Sequence, residues 1–119
     1  MPSSSPIFER NIDPRGLVLT FSSVMENIDR ACAECMTFLA ESAFAIDPKH
    51  FPLNLLIREG LTNAVKHGNK GNPEKLVRFS AFLEKSHISL IIEDQGPGFD
   101  WKNMDVSIRR PDQETGRGL

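Results

Sequence analysis

The run Leu76-Val77-Arg78-Phe79-Ser80-Ala81-Phe82-Leu83-Glu84, followed after Lys85-Ser86 by His87-Ile88-Ser89-Leu90-Ile91-Ile92-Glu93-Asp94, is where the fold is decided. The first run mostly alternates apolar and polar residues, and the second is rich in isoleucine, so the two read as an antiparallel hairpin. The isoleucine-rich strand suits an interior place in a sheet, and Gln95-Gly96-Pro97-Gly98 ends it abruptly. Upstream, a helix is expected from near Pro52 to Gly68, where Gly68-Asn69-Lys70-Gly71-Asn72-Pro73 stops it. Leu53, Ile57, Gly60, Leu61 and Ala64 form its apolar stripe. Before it, Leu17-Val18-Leu19-Thr20-Phe21 has strand composition, and Ser22 or Ser23 can cap a helix running to about Phe44, ahead of Asp47-Pro48. The order strand, helix, helix, strand, strand describes an α+β sandwich with helices on one face of a mixed or antiparallel sheet.

The flanks carry weaker signals. Residues 1–14 hold Pro2, Pro6 and Pro14 among serines and are expected to be a mobile tail, leaving 15–119 as one domain. Residues 100–115 are polar, with only a faint apolar hint at Trp101, Met104, Val106 and Ile108, and are expected to be a mobile surface segment. At 119 residues the chain is long enough for one core and too short for two. Apolar residues at 39% and charged residues at 25% are globular values. A mean hydropathy of -0.28 agrees with them. No apolar run reaches the length of a membrane span, and the start lacks the regions of a signal peptide, so a cytoplasmic protein is expected. Fourteen basic against sixteen acidic residues, with no basic block, argue against nucleic acid as a partner. Cys32-Ala-Glu-Cys35 suggests redox or zinc chemistry in isolation. Met25, Ile28, Cys32, Cys35 and Leu39, however, recur at helical spacing, which makes both cysteines core residues of the first helix.

Three patches could carry chemistry. On the second helix, Glu59, Asn63, Lys66 and His67 stack at i, i+4, i+7 and i+8. Mg2+ takes oxygen ligands and keeps several waters, so the Asn63 carbonyl with nucleotide phosphates can hold it, and Lys66 and His67 can add donors. The same four residues also read as the solvated side of an amphipathic helix. Asp94-Gln95-Gly96-Pro97-Gly98-Phe99 puts a carboxylate at the end of a buried strand beside glycines that admit a ligand. Such a carboxylate can accept from an exocyclic amine, although the motif also reads as a tight turn. Gly116-Arg117-Gly118 offers backbone N–H groups and a guanidinium suited to phosphate. No Walker-type loop occurs.

In this order, Glu59-Gly-Leu-Thr-Asn63-Ala-Val-Lys66-His67-Gly68, Asp94-x-Gly96-x-Gly98-Phe99 and Gly116-x-Gly118-Leu119 resemble the N, G1 and G2 boxes of the gyrase, chaperone, histidine-kinase and MutL ATPase superfamily. The wording of the first box looks most like the anti-sigma-factor serine/threonine kinases of bacterial partner-switching systems. The resemblance implies a Bergerat ATP-binding fold, a two-layer α/β sandwich with a mixed sheet. It implies Asn63 as the Mg2+ ligand, Lys66 or His67 near the phosphates, Asp94 on the adenine amino group, Gly96 and Gly98 admitting the nucleotide, and Phe99 behind it. Residues 100–115 would be the ATP lid, and Gly116, Arg117 and Gly118 its hinge. Glu59 would be the general base; sensor histidine kinases usually hold Asn there, so Glu59 argues against that class. The implied activity is transfer of phosphate from Mg-ATP to a serine of an anti-sigma-factor antagonist of the STAS type, by a homodimer that also sequesters a sigma factor. The alternative is a non-catalytic ATP-binding regulatory or adaptor module. Relatives continue past the third box with a helix and closing strands, so an incomplete sheet with an exposed edge is expected, along with pairing through that edge.

Overall fold

The computed structural model describes residues 7–13, 16–41, 53–84 and 87–96, and the backbone of 102–109. Its elements are β1 (Phe8–Asp13), β2 (Gly16–Ser22), α1 (Met25–Glu41), α2 (Leu53–Thr62) continuing into a π-helical turn (Asn63–Gly68), β3 (Leu76–Leu83), β4 (His87–Asp94) and β5 (Lys102–Arg109). The strands form one sheet in the order β1-β2-β3-β4-β5, antiparallel at every pairing. Of the two sheet types left open by the sequence, the described strands show the antiparallel one, and no parallel pairing of the mixed sheet implied by the resemblance lies among the described residues.

The register explains how an alternating sequence becomes a packed layer. Leu17, Ala81 and Leu90 lie in one cross-strand row, and Leu19, Phe79 and Ile92 in the next. All six are buried. Against this face α1 sets Ile28, Ala31, Cys32, Cys35, Phe38 and Leu39, and α2 sets Leu53, Ile57 and Leu61, in one continuous core. Each large side chain so buried contributes roughly 1.5–3 kcal/mol. The Arg10–Glu34 and Arg58–Asp29 ion pairs are solvent-exposed and contribute little to stability. Apolar packing between the layers therefore dominates the stability. The expected stripe of α2 is buried throughout, Ala64 included. In α1 one member fails: Met25, the first residue of the helix, is 51% exposed, while Asn27 is buried and donates to the carbonyls of Ile7 and Ser22.

Two expectations on the flanks are corrected. The tail expected over 1–14 contains β1, whose Phe8 stacks on Phe21 with centroids 5.4 Å apart and lies under the Arg30 guanidinium. Backbone pairing with β2 and these two ring contacts give residues 8–13 an ordered place despite their polar composition. The surface segment and lid expected over 100–115 contains β5. Its register sets Met104, Val106 and Ile108 opposite Ile92, Leu90 and Ile88, so the faint apolar hint is the period of a strand. Residues 1–6, 14–15, 42–52, 85–86, 97–101 and 110–119 lie outside the described set. Among the described residues no helix is long and apolar enough to cross a membrane.

Both cysteines are free and buried, as the helical spacing requires. Burial pushes the Cys35 thiol up to about 12, and the neighbouring Cys32 adds to the shift. A group whose folded pKa lies above its unfolded one stabilises the fold fully below the unfolded value. We therefore expect stability to fall as pH rises above about 9, where the unfolded thiol ionises and the folded one does not. At pH 8, iodoacetamide should leave Cys35 unmodified in the native protein and alkylate it in guanidinium, as read by peptide mass.

Candidate functional site

α2 delivers the first patch. Its buried stripe turns Leu53, Ile57 and Leu61 to the sheet, and Glu59 is left exposed on the other side. Regular α-geometry ends at Thr62, with φ -62° and ψ -42°. Beyond it the Asn69 N–H reaches back to the Ala64 carbonyl at 2.8 Å, and the Gly71 N–H to the Val65 carbonyl at 2.7 Å. These bonds close a wider turn than an α-helix, a form seen mostly as single turns and often at functional sites. Lys70 and Gly71 then adopt positive φ of 54° and 69° and end the helix. The widened turn buries Ala64 and Val65, and leaves Asn63, Lys66 and His67 exposed beside Glu59. The four residues predicted to share a face do all reach solvent, on a helix end that is not the plain α-helix their spacing assumed.

β4 delivers the second patch. Phe21, Val77 and Asp94 form the last cross-strand row, so Asp94 takes the inward position that follows Ile88, Leu90 and Ile92. A carboxylate thus ends an apolar stripe, half-buried at the rim of the sheet. It lies against Gly68: a Cβ on that glycine would overlap the Asp94 carboxylate. The absent side chain at Gly68 lets the helix end and the strand end meet.

Asn69 locks that meeting. It is 2% exposed. Its Nδ2 donates to Ser23 Oγ at 2.8 Å and to the Leu76 carbonyl at 2.9 Å. Its Oδ1 accepts from the N–H groups of Gln95 at 2.9 Å and Gly96 at 3.0 Å. Two donors and two acceptor positions are the full capacity of a carboxamide. Gly96 turns the chain with φ 58°. Gln95 Oε1 accepts from the Leu76 N–H at 2.8 Å, and the Lys75 ammonium donates to the Gly96 carbonyl. Ser23 Oγ donates in turn to the Lys75 carbonyl, and Ser22 Oγ accepts from the Ile7 N–H, so each of the two alternative cap serines is engaged elsewhere. Asn69, Lys75 and Gln95 were not read as site residues from sequence. Asn69 follows a helix-ending glycine in a loop-like run, and a buried asparagine there has the same composition signal as an exposed turn residue.

The site therefore joins Glu59, Asn63, Lys66 and His67 on one element to Asp94 and Gly96 on another. Gly98, Phe99, Gly116, Arg117 and Gly118 lie outside the described residues. Among the described residues no three His, Cys, Asp or Glu side chains group to hold a metal. The exposed Asn63 carbonyl is a hard oxygen donor of the kind Mg2+ accepts alongside phosphate oxygens and water, so the residues present fit that ion bound together with a nucleotide. Gly68→Ala should destabilise the protein by about 1–3 kcal/mol, through overlap with Asp94. In urea melts the double variant with Asp94→Ala should recover most of that loss, and additive losses would show that the two residues do not meet.

Residues 21–119 match the histidine kinase-like ATPase domain. An anti-sigma F factor of Bacillus cytotoxicus is 35% identical over 83 residues, which cover 67% of this chain and 54% of that protein. Anti-sigma F factors of Bacillus cereus and Bacillus thuringiensis are 34% identical over the same length and with the same coverage. The chain thus spans about half the length of the curated relatives it matches. With the first two motifs meeting at Gly68 and Asp94, and the match running over most of the sequence, the chain belongs to the histidine kinase-like ATPase domain family.

Proposed function

We propose that this chain binds Mg-ATP between the α2 end and the β4 end and acts as an anti-sigma regulatory factor with serine/threonine protein kinase activity. One observation carries the reading: the Asp94 carboxylate and the Asn63–Gly68 turn, 26 residues apart at their nearest, are held in contact through Gly68. A carboxylate at the sheet rim can read an adenine amine while the adjacent helix end faces the phosphates.

In this reading Asp94 accepts a hydrogen bond from the adenine amino group, and Gly96 and Gly98 admit the base, with Phe99 behind it. Asn63 holds Mg2+ through its carbonyl oxygen, Lys66 and His67 donate toward phosphate oxygens, and Gly116, Arg117 and Gly118 offer backbone N–H groups and a guanidinium to phosphate. Bound Mg2+ neutralises the charge on the β- and γ-phosphates. Glu59 is exposed, so the hydroxyl of a partner protein can approach it. It takes the proton from that serine as the serine oxygen bonds to the γ-phosphorus and the bond to the β,γ-bridging oxygen breaks. A positioned base contributes about 10²–10⁴-fold, and most of the remaining acceleration comes from positioning and charge.

The names of the relatives support an anti-sigma role, with a sigma factor as one partner. A STAS-type antagonist is the proposed phosphoacceptor, a homodimer the proposed assembly and the cytoplasm the proposed location.

Glu59→Ala should keep Mg-ATP affinity within about threefold and lower phosphorylation of the antagonist serine by at least about 10²-fold. Unchanged phosphorylation would remove Glu59 from the base role. Asp94→Asn should weaken Mg-ATP binding about tenfold or more in isothermal titration, as expected for loss of a charged hydrogen bond. A folded wild type that gives no heat with Mg-ATP would favour an adaptor that uses the fold without the nucleotide.

A further inference from the structure

We propose that Asn69 is a positioning residue for nucleotide specificity: its buried carboxamide aims the Asp94 carboxylate and so sets the preference for adenine. The inference rests on the nucleotide-binding reading above and adds a residue that the motifs do not include.

Asp94 is the last residue of β4, with Val77 of β3 and Lys102 of β5 as its ladder partners. Past it the chain leaves the sheet, so the next two N–H groups have no strand to pair with. Both go to Asn69 Oδ1. The residue before Asn69 is Gly68, on which the Asp94 carboxylate rests. Consecutive residues at the helix end therefore act at Asp94 and just past it: Gly68 sets how close the carboxylate comes, and Asn69 fixes the backbone of the two residues that follow.

The carboxamide is itself held. Ser23 Oγ and the Leu76 carbonyl take its two N–H donors. A flipped amide would present donors to the Gln95 and Gly96 N–H groups and its oxygen to the Leu76 carbonyl, so one orientation alone satisfies every group. At 2% exposure Asn69 is shielded from solvent, and it acts on a nucleotide through the end of β4 that its bonds to Gln95 and Gly96 hold. Direction matters because hydrogen bonds weaken steeply as they bend. A well-aimed carboxylate distinguishes the amine of adenine from the carbonyl that hypoxanthine carries at the same position, since the carbonyl leaves the carboxylate facing another acceptor.

The test is the ratio of affinities for Mg-ATP and Mg-ITP, by isothermal titration, in the wild type, Asn69→Ala and Asn69→Asp. The wild type should prefer ATP about tenfold or more. Asn69→Ala should bring the ratio to within about threefold of unity. Asn69→Asp keeps an oxygen toward Gln95 and Gly96, and should keep the preference while melting at lower temperature, because its second oxygen now faces the Leu76 carbonyl. A residue that only stabilised the fold would lower the melting temperature in both variants and leave the ratio alone. A wild-type ratio in Asn69→Ala, or a preference lost equally in Asn69→Asp, overturns the proposal. Should Asn69→Ala not fold, Ser23→Ala decides: it removes one anchor of the carboxamide and should cut the ratio about two- to threefold, and an unchanged ratio overturns the proposal. A wild type that binds neither nucleotide defeats the functional reading and this inference with it. A wild type that prefers ATP and retains that preference in Asn69→Ala defeats this inference alone.

Discussion

The carboxamide of Asn69 is the joint on which the arrangement of this protein depends. Its four hydrogen bonds reach Ser23 at the entry to α1, Leu76 at the start of β3, and Gln95 and Gly96 just past β4. Those groups come from three parts of the chain that lie far apart in sequence. In a low-dielectric interior such a network is strong when complete and costly when broken. Apolar packing brings the layers together but is indifferent to small slides of one layer over the other. The directional bonds of Asn69 select one placement of the helix end over the strand end.

That placement explains why an acid can end an apolar stripe. Ile88, Leu90 and Ile92 turn inward under the helices, and Asp94 continues their period at the rim, where it is only half-buried. Buried deeper, the carboxylate would meet a large desolvation cost. Further out, it would be an ordinary surface acid. Gly68 completes the geometry by removing the one side chain that would hold the helix away. The wider π-turn leading into Gly68 puts Ala64 and Val65 into the core and leaves Asn63, Lys66 and His67 outside, so one short segment both anchors the layer and presents polar groups beside Asp94.

The elements that the sequence revealed are those whose burial imposes a period. α2 and the turn that continues it carry the stripe of Leu53, Ile57, Leu61 and Ala64, and β4 the alternating Ile88, Leu90 and Ile92, because each packs one face on the core. The edge strands lack that imprint. In β1, residues Glu9 to Ile12 are exposed and pair mainly through backbone, which leaves little trace in composition. In β5 the alternation of Met104, Val106 and Ile108 was present, but Trp101 falls out of phase with it and polar residues dilute it. Glu59, Asn63, Lys66, His67, Asp94 and Gly96 could be singled out because their chemistry is tied to short, ordered spacings. Asn69 could not, since its role comes from partners 46 and 26 residues away in sequence.

Residue order alone was enough for the class of fold, the two helices, the central hairpin, the core place of Cys32 and Cys35, and the motifs that mark a nucleotide-binding family. These are properties of periodicity and of local chemistry, which a linear pattern carries. The antiparallel order of five strands, the inward position of Asp94, the contact of its carboxylate with Gly68 and the fourfold bonding of Asn69 were decided only by the tertiary structure. Each depends on distance and direction between groups far apart in the chain, and those are set when the apolar faces pack and the buried polar atoms must all find partners.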